Sequence, residues 1–190
     1  LGMSYLYQNG IMDTDNDYSR LNFRASLDYD ATPWLKVGVN AVYSHSNQTN
    51  PNMSTWQQAF NAPGIYTVYD DNNESATPVK FASPSSVGFT NNFYNPIATA
   101  YYYNSKNRTQ QFLNTYFADF TLVPSKLHFK TQVSYDHSTI EGYVFTPKYY
   151  ISEQLRLDNN SLSKTMTTYN NYVWDNTLNY NDSWGKHSLG

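Results

Sequence analysis

From Arg20 onward, apolar and polar residues alternate almost without error, and this alternation constrains the fold more than any other feature of the chain. Leu21, Phe23, Ala25, Leu27 and Tyr29 share one parity; Arg20, Asn22, Arg24, Ser26, Asp28 and Asp30 share the other. Successive side chains of an extended strand point to opposite faces, so period two predicts a strand with one apolar and one wet face. After Ala31-Thr32-Pro33-Trp34 the pattern resumes, with Leu35, Val37, Val39, Ala41 and Tyr43 against Lys36, Gly38, Asn40, Ser44 and Ser46. Val42 is the one apolar intruder on the wet parity.

The same reading recurs downstream. Tyr116, Ala118, Phe120 and Leu122 oppose Phe117, Asp119 and Thr121, and Val123-Pro124-Ser125-Lys126 predicts a turn. Leu127, Phe129, Thr131, Val133 and Tyr135 then oppose His128, Lys130, Gln132, Ser134 and Asp136. Trp174, Leu178 and Tyr180 oppose Asp175, Thr177 and Asn179, with Asn176 a polar defect on the apolar parity. Leu1, Met3, Tyr5 and Tyr7 form an opening strand, and a last one begins near His187. The count is about seven strands of on the order of ten residues, the length a membrane strand needs.

Composition removes the competing classes. Hydrophobic residues make up 39% of the 190, charged residues 14%, and mean hydropathy is -0.67. A disordered chain is also poor in hydrophobics, but it does not carry 17% aromatics with 19 Tyr. A net charge of -3 without a basic block leaves no footprint for nucleic acid. The absence of Cys excludes disulfides and thiolate metal sites. No apolar run exceeds a stretch such as Ala100 to Tyr103, so no transmembrane helix is expected. Spanning β-strands escape that test, because only alternate residues need be apolar. No signal peptide opens the chain, and both ends read as cuts through a longer protein.

Connections differ between the two strand ends. Tight turns are expected at Pro33, at Pro124 and over Asp182-Ser183-Trp184-Gly185. Long excursions run from Asn47 to Asn107 and from Thr146 to Lys164, with a shorter one from Ile11 to Tyr18. Short turns at one end and long loops at the other describe an outer-membrane barrel, with turns periplasmic and loops outside. The apolar rows also finish in aromatics: Tyr29, Trp34, Tyr180 and Trp184 beside the turns, and Tyr5, Tyr7, Tyr43 and Tyr135 toward the other end. Rings at two levels match the two interfaces of a bilayer, although Tyr is also simply a good strand former. A soluble β-sandwich gives the same alternation and stays open as an alternative.

Several segments resemble the SusC/RagA-type TonB-dependent transporters. Ser4-Tyr5-Leu6-Tyr7-Gln8-Asn9-Gly10-Ile11 is similar to the family's S-Y-x-x-Q-x-G-I, and Tyr18-Ser19-Arg20-Leu21-Asn22-Phe23-Arg24 to the strand that follows it. Thr32-Pro33-Trp34-Leu35-Lys36-Val37-Gly38-Val39-Asn40 resembles W-L-K-V-G-x-N, and Asn95-Pro96-Ile97-Ala98 an N-P-I-A element late in a long external loop. Leu127-His128-Phe129-Lys130-Thr131 resembles L-x-F-K-T, and Trp174 to Tyr180 resembles W-x-N-T-L-x-Y. Trp184-Gly185-Lys186-His187-Ser188-Leu189 resembles F-G-K-H-S-L, with Trp184 in place of the usual Phe. Each segment is short; their order and spacing over nearly the whole chain carry the resemblance.

The resemblance implies that residues 1–190 are part of the barrel domain of a TonB-dependent receptor in the Gram-negative outer membrane. The family's closed barrel has 22 strands, filled by an N-terminal plug behind a TonB-contacting segment, neither of which this chain contains. The expected fold is therefore all-β, an antiparallel transmembrane β-barrel segment. The resemblance also implies import of glycan fragments or peptides, a SusD-like surface lipoprotein as lid, and energy from the TonB complex. Another outer-membrane barrel, such as a porin or an adhesin, and a carbohydrate-binding sandwich are the alternatives.

On this reading Arg24, Asp28, Lys36, Asn40, Asp119, Lys130 and Asp136 line the lumen, while the other parity meets outer-membrane lipid. Trp56, Tyr66, Tyr69, Tyr94, Tyr101, Tyr102 and Tyr103 stand among many Asn side chains in the long excursion. Sugars stack on such rings and hydrogen-bond to neighbouring amides, so these residues are candidates for cargo or lid contact. The same rings would equally serve to pack the loop against itself. Asp13, Asp15 and Asp17 form D-x-D-x-D, but an EF-hand would need Gly and Glu where Tyr18 and Arg24 stand. His45, His128, His137 and His187 lack ligand spacing, and no serine sits in a nucleophile elbow. The sequence predicts no metal, no cofactor and no enzyme.

Overall fold

The computed structural model describes residues 1–90, 93–185 and 187–189. Six strands form one antiparallel sheet in chain order: β1 (Gly2–Asn9), β2 (Asp17–Thr32), β3 (Leu35–Thr49), β4 (Asn104–Val123), β5 (Leu127–Thr146) and β8 (Ser161–Tyr180). Between them lie α1 (Ser54–Asn61), α2 (Pro96–Tyr101), and a two-stranded pair of β6 (Tyr149–Tyr150) and β7 (Arg156–Leu157). A small hairpin of β9 (Asp182–Trp184) and β10 (His187–Leu189) follows β8. No helix among the described residues is long and apolar enough to cross a membrane. The sheet is open: β1 and β8 are its edges, and every residue of both is exposed.

The ladders carry the parity of each strand across the whole sheet. Leu27 pairs with Val39, Val39 with Tyr116, Tyr116 with Val133 and Val133 with Trp174, so one face is apolar from edge to edge. These side chains have no second layer over them; Leu27 is 66% exposed and Trp174 72%. The other two sheets have two strands each, so no partner sheet of a sandwich is present among the described residues. Asn176, the polar defect, stands opposite Thr131, whose hydroxyl accepts the Trp174 indole N–H at 2.9 Å.

The apolar face is a band rather than a full surface, and the band runs obliquely to the strands. Its upper limit, the last large apolar side chain before two successive polar residues on that parity or the end of the strand, is Tyr7, Leu21, Tyr43, Phe112, Tyr135 and Tyr172 on the six strands. Traced through the ladders to β3, these residues lie opposite positions 47, 45, 43, 43, 41 and 41. Beyond this limit β4 continues with polar residues on both faces, as in Asn107-Arg108-Thr109-Gln110-Gln111, while β5 and β8 are mainly polar with scattered apolar residues such as Ile140, Tyr143, Leu162 and Met166. The strands are therefore longer than the alternation alone predicts, reaching 20 residues in β4, β5 and β8.

Ring contacts brace both limits of the band. Trp34 stacks on Phe120 and Phe120 on Phe129 beside the turns, with centroids 6.3 and 6.1 Å apart. Tyr135 stacks on Tyr172 at 4.7 Å near the upper limit. The turns between β2 and β3 and between β4 and β5 are tight, and all three long connections leave from the opposite end. In the second turn the Lys126 N–H donates to the Val123 carbonyl and Ser125 has φ 63°. With Pro124 ahead of it, that is a type II turn carrying Ser where Gly is usual.

Three expectations need correction. Asp182-Ser183-Trp184 is not a turn but β9, and only the reversal after it uses Gly185, at φ 63°. The final segment pairs with β9 rather than forming a seventh strand of the main sheet. The long excursion is shorter than expected, from residue 50 to residue 103, and it is structured.

Candidate functional site

Two surfaces carry the polar and aromatic groups that could meet a ligand. The first is the wet face of the sheet. All seven residues expected there share it: Asp28, Lys36, Asn40 and Arg24 on β2 and β3, and Asp119, Lys130 and Asp136 on β4 and β5. Near the turns they form a row of alternating sign, Asp30, Lys36, Asp119 and Lys130, each directly opposite the next. Opposite charges across a ladder attract, so this row favours the observed register. Lys36 Nζ also lies 3.3 Å from Asp28 Oδ2, and His128 Nδ1 lies 3.7 Å from Asp119 Oδ1.

Higher on the same face the contacts are hydrogen bonds rather than ion pairs. Ser26 Oγ donates to Asn40 Oδ1 at 2.6 Å, and Gln111 Nε2 donates to Asp136 Oδ1 at 3.0 Å. Arg20 Nε donates to Asn22 Oδ1 and Ser44 Oγ at 2.8 and 3.0 Å. Phe117 places a phenyl ring on this face beside the charge row, and Gly38 explains its place. A side chain at Gly38 would overlap the Phe117 ring, so the glycine lets the ring lie flat on β3. Lys130 Nζ then caps the ring at 4.8 Å. The result is a polar wall of mixed charge that offers hydrogen bonds and short-range charge.

The second surface is the loop region above the strand ends. The β3–β4 and β5–β8 connections pack on one another around Phe81, Ala98, Tyr102, Ile151 and Leu155. Tyr102 and Tyr149 stack face to face at 4.4 Å, and Thr77 bridges to Tyr150 through paired backbone hydrogen bonds. Two asparagines fasten the module. Asn73 Nδ2 donates to the carbonyls of Phe81 and Ile151 at 2.9 and 3.2 Å. Asn95, 1% exposed, donates to the carbonyls of Val68 and Ala82 at 2.8 and 3.2 Å and accepts from the Ala98 N–H at 3.2 Å. That last bond is the N-cap of α2, with Pro96 at the first helical position.

The seven aromatic candidates divide between packing and exposure. Tyr102 is buried in the module core. Tyr66 meets Phe89 and Phe93 edge-on, and its hydroxyl donates to the Ala82 carbonyl at 2.6 Å. Burial pushes that hydroxyl up to about 12. Tyr69 and Tyr101 flank Phe81 and remain exposed, as does Tyr94, and Tyr103 is half-buried. Trp56, on α1, lines a recess of about 400 Å³ with Gln8, Asn9, Asn16, Gln48 and Asn50. An indole among side-chain amides is suited to a sugar, through stacking and neutral hydrogen bonds.

The sequence singles out Asn95 only within Asn95-Pro96-Ile97-Ala98, and it does not mark Asn73, Phe81 or the second loop's Ile151 and Leu155. The Asn-Pro step at Asn95 was the available signal, because it is a helix-start pattern. Among the described residues no group of three His, Asp or Glu side chains could hold a metal ion. Asp13 and Asp15 lie in the β1–β2 connection and Asp17 opens β2; in the connection Asn16 Nδ2 donates to the Met12 carbonyl at 2.9 Å. Comparison with protein-family models gives no match, and neither does comparison with curated proteins.

Proposed function

We propose that the sheet is an arc of a transmembrane β-barrel in an outer membrane, and that the barrel belongs to a TonB-dependent transporter of the SusC/RagA type. The oblique, uncharged band carries this reading. Its upper limit drifts by six residues, from position 47 to position 41, across the five steps between six strands. At ~3.3 Å per residue and ~4.8 Å per strand, that drift corresponds to ~40° between strand and band normal. Barrel strands tilt by about 35–45° in a bilayer, so a band that is level with the membrane must run obliquely in this way.

Three further observations support the barrel. No residue of the outward parity within the band is charged, whereas the inward parity carries the alternating row. Tight turns and long loops segregate to opposite ends. Both edges expose unpaired backbone, which in lipid demands neighbouring strands. The transporter assignment rests on the resemblance of the strand and loop segments, and with it come a SusD-like lipoprotein lid, TonB-derived energy and glycan or peptide cargo. The loop module, with its exposed aromatic faces and the Trp56 recess, is the surface that cargo or lid would meet first. Arg24, Asp28, Lys36, Asn40, Asp119, Lys130 and Asp136 line the path below it.

The test compares two neighbouring positions of β3 in the full-length protein. Val39→Arg places a charge on the lipid face and should cost roughly 2–4 kcal/mol of folding free energy in vesicles, while Asn40→Arg faces water and should cost little. Equal costs, or the reverse order, would remove the proposal. Behaviour as a monodisperse protein without detergent would favour the soluble carbohydrate-binding alternative.

A further inference from the structure

The outward parity of the sheet becomes charged only above the band. There it carries Lys106 and Arg108 on β4, Glu141 on β5 and Lys164 on β8, with Asp17 apart from them on β2. Lys106 stands opposite Tyr143, and Tyr143 opposite Lys164; Arg108 stands opposite Glu141 in the next row. These five residues line a cavity of about 620 Å³. Arg108 Nη1 lies 3.6 Å from Glu141 Oε2, and Lys164 Nζ lies 5.8 Å above the Tyr143 ring. Among the described residues neither Lys106 nor Lys164 has a carboxylate within ion-pair distance. Of three cations, one is neutralised by Glu141 and two are not.

We infer that this patch binds the phosphorylated sugar head group of an outer-leaflet glycolipid. The inference rests on the proposed membrane reading, which turns this face toward lipid. Arg108 lies four residues beyond Phe112 and Lys164 eight beyond Tyr172, which places the patch about 10–20 Å above the acyl chains at that tilt. Lipid head groups and their phosphates occupy that height. Phosphate is held by lysine as a point charge and by arginine as a fork, and Tyr143 adds an amphipathic ring at a sugar's level. The wet face differs near the turns: there Lys36 sits 3.3 Å from Asp28, and Lys130 stands opposite Asp119 and caps Phe117.

The experiment uses the full-length protein in nonionic detergent, titrated with a lipopolysaccharide truncated to its phosphorylated inner sugars and read by native mass spectrometry. Its dephosphorylated form and soluble glucosamine 6-phosphate serve as the other probes. Lys106→Gln with Lys164→Gln should weaken retention of the phosphorylated glycolipid on the order of tenfold or more, and the Lys106→Arg, Lys164→Arg pair should retain it. Lys36→Gln, on the other face, should leave it unchanged. Equal retention by wild type and the glutamine pair overturns the inference, as does glucosamine 6-phosphate binding as tightly as the glycolipid, which would make this a site for soluble phosphosugars. If Val39→Arg and Asn40→Arg separate as proposed while the glutamine pair binds like wild type, this inference alone fails. If those two variants do not separate, the membrane reading itself fails.

Discussion

Asn95 makes three buried hydrogen bonds from one side chain, and replacing it should loosen the loop module without disturbing the strands. Asn95→Ala removes the α2 cap, worth about 1 kcal/mol, and two donations to carbonyls, worth about 1 kcal/mol each. Neither carbonyl is left bare: that of Val68 still accepts from the Ala82 N–H, and that of Ala82 from the Tyr66 hydroxyl. The total is therefore roughly 2–4 kcal/mol, near the sum of the lost bonds. Asn95→Asp is nearly isosteric yet should be worse at neutral pH, because a carboxylate oxygen then faces two carbonyls where an amide N–H₂ stood. Hydrogen exchange reads the effect. The amides of Thr99 and Tyr102, which bond within α2, should lose protection by about thirtyfold to a thousandfold, while β3 and β4 keep theirs. Protection in α2 within about threefold of wild type for both variants would refute the role of Asn95.

Two further outcomes follow from the same module. The Tyr66 hydroxyl titrates at about 12 rather than near 10, so its contribution is whole below pH 10 and is lost as pH rises from 10 to 12. The tyrosinate absorbance difference between wild type and Tyr66→Phe should have its midpoint near 12; a midpoint at 10 would show the hydroxyl to be exposed. Deleting residues 52–92 removes Asn73, Thr77 and Phe81 from beneath the second loop but touches no ladder of the main sheet. Assembly, read by heat-modifiable gel mobility, should survive, and growth on the cognate nutrient should not; assembly with normal growth would deny the loop a part in transport.

The sheet was legible in the sequence wherever one face of a strand is apolar and the other polar. Leu21 to Tyr29 and Leu35 to Tyr43 announce themselves, because a single register error would turn every apolar side chain to the wrong face. Above the band that contrast disappears. Asn107 to Gln111 is paired strand with polar residues on both faces, so periodicity gives no signal there. The wet-face residues followed from parity. The loop module did not, because its core joins segments about 70 residues apart, Phe81 with Ile151 and Leu155, through contacts no local pattern encodes. Tyr66 and Tyr102 looked the same in sequence as Tyr69 and Tyr101; only the three-dimensional packing separates rings that fill the core from rings that face water.

The account depends on two faces of one sheet meeting two different solvents, and with no Cys among residues 1–190 each face can be labelled one position at a time. Single cysteines placed in turn at Val37, Val39, Asn40, Ala41 and Val42 of the full-length protein in vesicles can carry a nitroxide. Collision with lipid-soluble oxygen should be high at Val37, Val39 and Ala41, and collision with a water-soluble nickel chelate high at Asn40 and Val42. The same scan at Thr109, Gln110 and Gln111 of β4, above Phe112, should find the chelate at every position. Alternation between positions 37 and 42 that vanishes beyond Phe112 is the predicted result. Uniform access of the chelate along both stretches would contradict the membrane band and the account built on it.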